Sequence, residues 1–448
     1  MKYLIGITLS LFISFTFKLT FLETLSVILF FEYLVYFISL IGTKILILEI
    51  ASFTAILTWL IAPIPFYHFF NENNAIASNW LLFMPINSNE YYNYVLPATL
   101  FMIIGLSLKL KNHQTLINSE ALFKRIKASL EKKSIIGLTL IFLGLISSII
   151  LPYVPSSLSF LLYLFTNITI VGLLYLYFSD IPFKTGILFV GFGMLLVTSI
   201  KSGMFGTLIY ILILVGFLVI SNRKMHFLLK SVILILGIYF VLLIQLVKSD
   251  YRTVAWTQGS SPTYFAQLII QKISNPFTVY EEEVLFRLLV RLNQGWHIAK
   301  TMYHVPKDKP FANGETITLA LTSTLVPRIL WPEKPKAGGT YNLERFWGYK
   351  IKGYSMNIGP IGEAYGNFGK YGGVIFMFIY GFLLNKILDI VLGFSKTNPT
   401  WIIWLPFLFL YAIGTETDVV TTLNYLVKAF FFLFMFRILF LSFFGVRL

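Results

Sequence analysis

Long apolar stretches separated by short polar connections dominate the pattern of the chain. An α-helix needs about 20 mostly apolar residues to cross the hydrocarbon core of a bilayer, and twelve segments of the sequence approach this requirement. They lie at 3–21, 25–44, 47–66, 95–111, 135–153, 157–178, 183–200, 204–220, 227–247, 369–393, 400–415 and 419–443. The pattern therefore predicts an all-α, polytopic membrane protein with about twelve transmembrane helices.

The pattern changes between residues 248 and 368, where no segment is long and apolar enough to span a bilayer. The chain thus divides into transmembrane helices 1–9 within residues 1–247, a large, partly helical loop over 248–368, and transmembrane helices 10–12 within 369–448. Inside the loop, residues 263–273 place apolar side chains at helical spacing over too short a length to span. This segment is predicted to lie along the membrane surface.

A second helix is predicted to follow in the loop. Thr278 precedes Glu281 by three residues, which is the signature of a capping box at a helix start. From there the apolar spacing predicts one helix that runs to about Tyr303.

Two arginines share one face of that predicted helix. Arg287, Arg291 and Gln294 follow at steps of four and three residues, which aligns them. Glu283 lies four residues before Arg287 and can pair with it, so a structural ion pair and a ligand contact are both open for Arg287. Arg291 has no acidic residue three or four positions away and is the better candidate to face a ligand.

Composition agrees with a membrane protein and limits its chemistry. Charged residues make up 12% of the chain and apolar residues 57%, against roughly 25% charged in soluble proteins. The absence of cysteine excludes disulfides and thiolate metal sites. Nucleotide-binding, zinc-protease and esterase motifs are missing, and the five histidines form no ligand spacing. We therefore predict no metal and no cofactor.

The basic residues predict the orientation. They crowd the connection over residues 109–133 and recur at Lys184, Arg223 and Lys224, whereas residues 67–94 contain none. Because cytoplasmic loops collect Lys and Arg, both termini are predicted in the cytoplasm and the 248–368 loop outside. The topology rule accounts for these basic residues, so we predict no nucleic-acid partner.

The large loop carries a positive surplus on the side where the topology rule does not require one. It holds fourteen Lys and Arg against nine Asp and Glu. Such a surplus suits an anionic ligand, for example a lipid-linked phosphate or pyrophosphate. A solvated loop with ordinary charge content is the alternative.

Further cations and one acid stand out near the ends of predicted spans. Residues 326–336 combine three prolines with Arg328, Lys334 and Lys336 in a stiff segment, which could equally be an interfacial tryptophan with snorkelling lysines. Lys201, at the outer end of the seventh span, allows the same two interpretations. Glu363 lies among glycines whose spacing permits close helix packing; it could be a general base or pair with an arginine.

Several motifs together resemble the bacterial Wzy-type oligosaccharide repeat-unit polymerases, which extend O-antigen, enterobacterial common antigen or capsule chains. The resemblance lies in Arg-Leu-Asn at 291–293, VPRILWPEKP at 326–335 and IGEAYGNFGKYGGV at 361–374. SIKSG at 199–203 looks like the family's Ser-Arg-Gly element, with Lys201 where an arginine is expected. Lysine keeps the charge there but loses the bidentate geometry of arginine.

The resemblance implies a GT-C-like membrane fold in the bacterial inner membrane with a periplasmic loop. It implies glycosyl transfer between undecaprenyl-pyrophosphate-linked glycans, without a metal, and a Wzz-type chain-length regulator as a possible partner. It also implies roles for residues of this chain: Arg291, Glu363 and Arg328 in catalysis; Lys201, Arg252, Arg287, Lys334 and Lys336 in pyrophosphate binding; Tyr365 and Asn367 in acceptor binding.

Two other functions remain open on the sequence. A lipid-linked glycan ligase would use the same chemistry but transfer a finished glycan once. A flippase or secondary transporter would carry ionisable residues within its spans, and Glu32, Glu49 and Lys428 are possible members of such a set.

Overall fold

The computed structural model describes residues 2–113, 119–259, 261–326, 330–331, 339–350 and 356–445. Every regular element in these ranges is helical, which confirms the predicted all-α class.

The helices of the first half of the chain are bounded as follows: α1 Lys2–Thr16, α2 Phe21–Leu40, α3 Ile47–Ala55 with a π-helical continuation Ile56–Ile61 and a further turn Ile64–His68, α4 Ala75–Trp80, α5 Ser88–Ser107, α6 Ser119–Leu130, α7 Ser134–Ile150, α8 Ser156–Phe178, α9 Lys184–Ser202 and α10 Gly206–Ile220. The second half contains α11 Phe227–Thr257, α12 Pro262–Ser274, α13 Glu282–Leu292, α14 Gly295–His304, α15 Glu315–Leu325, α16 Thr340–Trp347, α17 Gly359–Ser395 and α18 Val419–Phe444. Short 3-10 segments lie at Pro276–Tyr280 and Pro399–Trp404, the latter followed by the helical turn Leu405–Leu408.

Within the described residues, eight helices are long and apolar enough to cross a membrane: α2, α3 with its continuation, α7, α8, α9, α11, α17 and α18. The protein is therefore a helical multi-pass membrane protein. Three other predicted segments form shorter apolar helices, namely α1, α10 and the 399–408 segment. The predicted segment 95–111 lies mostly in α5, which begins earlier, at Ser88, with polar residues.

Helices α5 and α17 pack closely along each other. A Cβ atom on Gly381 would lie 2.3 Å from the carbonyl oxygen of Met102, and one on Gly105 would lie 2.4 Å from that of Phe378. Because only glycine leaves room for such an approach, the pair matches the small-residue packing common between membrane helices. This contact holds the middle of α17 against α5, beyond the glycine-rich motif at 361–374.

Two helices extend into the segment that the sequence predicted as the large loop. Helix α11 continues to Thr257, beyond the predicted span 227–247, and α17 begins at Gly359, ahead of the predicted span 369–393. The glycine-rich segment is thus helical, with one kink at Gly369, where φ is +66°. A left-handed φ suits glycine, and the ring of Phe311 lies against that position.

The predicted single helix from Thr278 to Tyr303 is wrong, because the segment forms two helices. Thr278 lies in a 3-10 turn and its hydroxyl donates to the carbonyl of Asn275 (2.9 Å) instead of forming a capping box. Helix α13 ends at Leu292, and the side chain of Asn293 accepts a hydrogen bond from the backbone N–H of Trp296 (3.2 Å) at the start of α14. This local cap competes with helix continuation.

Candidate functional site

A cleft of about 470 Å³ lies where the C-terminal end of α11 meets α12, α13 and α14. Its charged lining is mainly cationic. Four basic residues, Lys248, Lys272, Arg287 and Arg291, face two acidic ones, Asp250 and Glu283. Apolar and aromatic side chains complete the wall, including Phe66, Trp80, Phe286 and Trp296.

Both acids of the cleft contact the same arginine. The Arg287 guanidinium lies 3.5 Å from the Asp250 carboxylate and 3.9 Å from that of Glu283. The pairing with Glu283 that the sequence spacing allowed is therefore present, and Asp250 joins it. Lys248, Lys272 and Arg291 have no carboxylate within 4 Å in the part of the chain that the structure describes. The cleft keeps a positive surplus, which favours an anion.

Arg291 occupies the position that the helical spacing predicts. It is exposed on α13 and lines the cleft with Arg287, one turn earlier on the same helix, and with Gln294, which follows the end of α13. Its charge interacts with those of Lys248 and Arg252 on α11. Three like charges that lie close together repel one another unless a ligand or counter-ion neutralises them.

Arg252 and Lys201 lie beside the cleft rather than in its lining. The Arg252 Nε donates to the carbonyl of Gly203 (2.6 Å), and its guanidinium lies 5.0 Å from the ring centre of Trp256. The neighbouring Tyr251 hydroxyl donates to the carbonyl of Ile200 (3.0 Å). Together these contacts hold the end of α9 against α11, while Lys201 is exposed in the last turn of α9.

Glu363 and Asn367 belong to a buried network away from the cleft. The fully buried Glu363 carboxylate accepts hydrogen bonds from the Thr316 hydroxyl (2.7 Å) and the backbone N–H of Val419 (2.9 Å). Asn367 donates to Thr316 (2.7 Å) and to the carbonyl of Glu363 (2.8 Å), and accepts from the N–H of Gly314 (3.1 Å). The network joins the loop helix α15 to α17 and to the start of α18.

Tyr365 also lies outside the cleft lining. Its half-buried ring packs edge-on against Tyr94 at 4.9 Å and contacts Phe311 at 6.1 Å. Arg328, Lys334 and Lys336, the remaining predicted site residues, lie outside the described residues. The structure thus places Arg287 and Arg291 in the cleft, Arg252 and Lys201 beside it, and Glu363, Tyr365 and Asn367 elsewhere.

Four cleft residues did not emerge from the sequence as candidates: Gln245, Lys248, Lys272 and His297. A signal for part of this set exists, because Gln245, Lys248 and Arg252 follow at steps of three and four and form a polar stripe on α11. The buried Oε1 of Gln245 has no hydrogen-bond partner among the described residues. Lys272 and His297 carry no comparable local signal.

The His297 imidazole forms the aromatic end of the cleft. It stacks on Trp347 (ring centres 6.1 Å apart, planes at 19°) and meets the edge of Trp296 at 5.2 Å. Burial lowers the pKa of His297 to about 4. The ring is therefore neutral in the folded protein at neutral pH.

This pKa predicts a specific dependence of stability on pH. The unfolded chain binds a proton at His297 near pH 6.5, whereas the folded protein does so only near pH 4, so stability falls as the pH drops between these values. We expect His297→Phe, which keeps the stacking, to gain up to about 2 kcal/mol relative to the wild type between pH 7.5 and 5. Unfolding by SDS in mixed micelles at both pH values measures this difference. An unchanged difference would show that His297 is not buried in its neutral form.

A family model described as a domain of unknown function (DUF8712) matches residues 113–390. The match spans more than half of the chain and includes α11 to α14, which form most of the cleft. No curated protein and no solved structure matches the chain.

Proposed function

The chain belongs to the DUF8712 family, whose function is unknown, and we propose that it polymerises lipid-linked oligosaccharide repeat units by glycosyl transfer. The proposal takes the substrate class, undecaprenyl-pyrophosphate-linked glycans, from the resemblance to Wzy-type polymerases. One observation carries it furthest: the cleft holds four cations and only two acids beside the C-terminal end of a spanning helix. This position is accessible to the anionic headgroup of a lipid that is anchored in the membrane.

The proposed glycosyl transfer depends mainly on positive groups that stabilise the leaving pyrophosphate. An acceptor hydroxyl oxygen forms a bond to the anomeric carbon of the donor glycan, the bond from that carbon to the pyrophosphate breaks, and the pyrophosphate leaves with the electron pair. Fixed positive groups stabilise the charge that develops on the leaving group. Lys248, Lys272 and Arg291 are the cleft residues free for this role among those described. A base must take the hydroxyl proton: Asp250 and Glu283 are the carboxylates that line the cleft, and Glu363 is the base that the sequence predicted, fully buried outside it.

The proposal includes a finer topology than the eight spans. In it, α1, α5, α10 and the 399–408 segment complete twelve crossings of a GT-C-like fold in a bacterial inner membrane. Both termini then lie in the cytoplasm and the cationic cleft lies on the periplasmic side. The support is the distribution of Lys and Arg in the short connections.

The deciding experiment is a reaction in nanodiscs. The purified protein receives an undecaprenyl-pyrophosphate-linked repeat unit, and the products are resolved by gel electrophoresis and mass spectrometry. We expect a ladder spaced by one repeat unit, because each product is again a donor. A single transfer to another acceptor would instead identify a ligase.

Movement of the lipid-linked glycan across the bilayer without bond formation would identify a flippase or transporter. Of the intramembrane residues that such a function would use, Glu49 is paired with Lys44 and Lys428 lies 4.6 Å from the ring centre of Phe160. These contacts give both residues structural roles. Glu32, the third such residue, has a buried Oε1 without a hydrogen-bond partner among the described residues, and the transporter is the second candidate after the polymerase.

A further inference from the structure

The segment from α12 to the 3-10 turn Pro276–Tyr280 exposes an unusual amount of apolar surface for a part of the chain that does not span. Ile270 is 62% exposed and Ile273 50%, while Phe277 and Tyr280 are 79% and 78% exposed. The two aromatic rings stack on each other with centres 6.4 Å apart. In water this surface would be unfavourable by about 25 cal/mol per Å².

Contacts on the opposite face of α12 place the segment at the depth where the neighbouring apolar helices begin or end. Phe265 is buried and stacks on Phe205, just before α10, with ring centres 5.0 Å apart. It also packs at 5.2 Å against Tyr251, whose hydroxyl bonds to the last turn of α9. The end of α9, the start of α10 and the emerging part of α11 therefore all meet α12.

The length of α11 also places this segment at the edge of the hydrocarbon core. At about 1.5 Å per residue, Lys248 lies roughly 30 Å from the start of α11 at Phe227, which is about the thickness of the hydrocarbon core. The basic side chain thus falls at the edge of the core, and Tyr251 lies one turn beyond it. Apolar side chains that point outward from α12 at this level contact lipid.

The exposed aromatic pair lies next to the cationic cleft along the chain. Lys272, five residues before Phe277, lines the cleft, and so does Glu283, three residues after Tyr280. Three extended residues cover at most about 11 Å, so Tyr280 cannot be far from the cleft wall. One segment therefore presents a cation to the cleft and aromatic side chains to the outside.

We propose that Phe277, Tyr280 and Ile273 form a binding surface for the hydrocarbon chain of an anionic polyprenyl lipid whose phosphate groups occupy the cleft. The inference rests on the proposed function for the identity of the lipid. The cleft and the surface bind the two ends of such a lipid. The cations Lys248, Lys272 and Arg291 in the cleft attract the phosphates, and the exposed rings of the surface pack on the isoprene units that follow. The surface admits the lipid from the bilayer directly into the cleft.

Photo-crosslinking tests the contact without relying on activity. A benzoylphenylalanine replaces Phe277 or Tyr280 in the full-length protein, and undecaprenyl pyrophosphate in the nanodisc is the probe. The matched control is the same group at Tyr303, which is 40% exposed on α14 in the same loop. We expect at least tenfold more lipid adduct at 277 and 280 than at 303. Equal adduct at the three positions would overturn the inference.

A kinetic test separates the hydrocarbon contact from the phosphate contact. In the double variant Phe277→Ser, Tyr280→Ser we expect the KM for an undecaprenyl-linked donor to rise about tenfold, with kcat unchanged. The KM for a donor on a two-isoprene geranyl chain should stay the same, because that chain reaches less of the surface. Tyr303→Ser should change neither value.

The two proposals can fail separately. An equal rise in KM for both donors would overturn the lipid-binding surface while the polymerase remains. Strong crosslinking to undecaprenyl pyrophosphate without any product ladder would support the surface and overturn the polymerase.

Discussion

Replacing Arg291 by alanine is expected to reduce chain growth in the nanodisc reaction by at least about a hundredfold. Removing one preorganised donor that stabilises developing negative charge typically costs a factor of 10² to 10³ in rate. Arg291 is exposed in the cleft and has no carboxylate within 4 Å among the described residues. Its removal therefore leaves no acid unpaired, and the folded protein should insert and purify as the wild type does.

Three further variants make the Arg291 result specific. Arg291→Lys keeps the charge but loses the bidentate geometry that suits phosphate oxygens, so we expect an intermediate rate. Arg287→Ala removes a cation that Asp250 and Glu283 already neutralise, and its effect should be smaller than that of Arg291→Ala. Arg223→Ala changes an exposed arginine in the α10–α11 connection and should be silent.

The outcome that would remove Arg291 from the mechanism is a normal ladder from folded Arg291→Ala protein. The amount of folded protein in each nanodisc preparation is measured by size-exclusion chromatography, so that rate and yield are not confused. A rate loss of equal size in Arg223→Ala would point to a general effect of lost charge.

Hydrophobicity alone predicted the membrane-spanning core, because only a helix satisfies its own backbone hydrogen bonds in lipid. It could not predict where the helices end, because a helix can continue beyond the edge of the hydrocarbon core. The stretch from Lys248 to Thr257 is too polar to lie in lipid yet continues α11. The segment starting at Gly359 likewise extends α17 outward, with Tyr94 donating to the carbonyl of Ile361 (2.7 Å) at its beginning.

The candidate site was predictable where its residues are neighbours on one helix. The shared face of Arg287 and Arg291 on α13 follows from spacing alone, whereas Gln294 lies past the end of that helix. The approach of Lys248 and Lys272 does not, because it depends on how α11 and α12 fold back on α13. For Glu363 the sequence indicated a carboxylate that needs a partner, but not that the partners would be Thr316 and a helix N-terminus.

Glu363→Ala is expected to lower the free energy of unfolding by about 3 kcal/mol or more. The change leaves a cavity and removes the acceptor for the Thr316 hydroxyl and for the backbone N–H of Val419. Each buried donor without a partner costs about 1–3 kcal/mol. The matched control is Glu344→Ala, since Glu344 is an exposed acid that pairs with Lys350 at 3.1 Å. Such a surface pair contributes less than about 1 kcal/mol.

The conservative variant Glu363→Gln separates the structural role from the predicted role as a base. Glutamine keeps one oxygen for Val419 but turns an NH₂ group toward Thr316, so we expect a moderate loss of stability. Because the Glu363 side chain is fully buried and absent from the cleft lining, turnover per folded molecule should fall no more than the folded fraction explains. SDS unfolding gives the stability and the nanodisc reaction gives the turnover. A hundredfold loss of turnover in a Gln variant of near wild-type stability would instead require that the carboxylate reach the acceptor hydroxyl, through a movement of α15 away from α17.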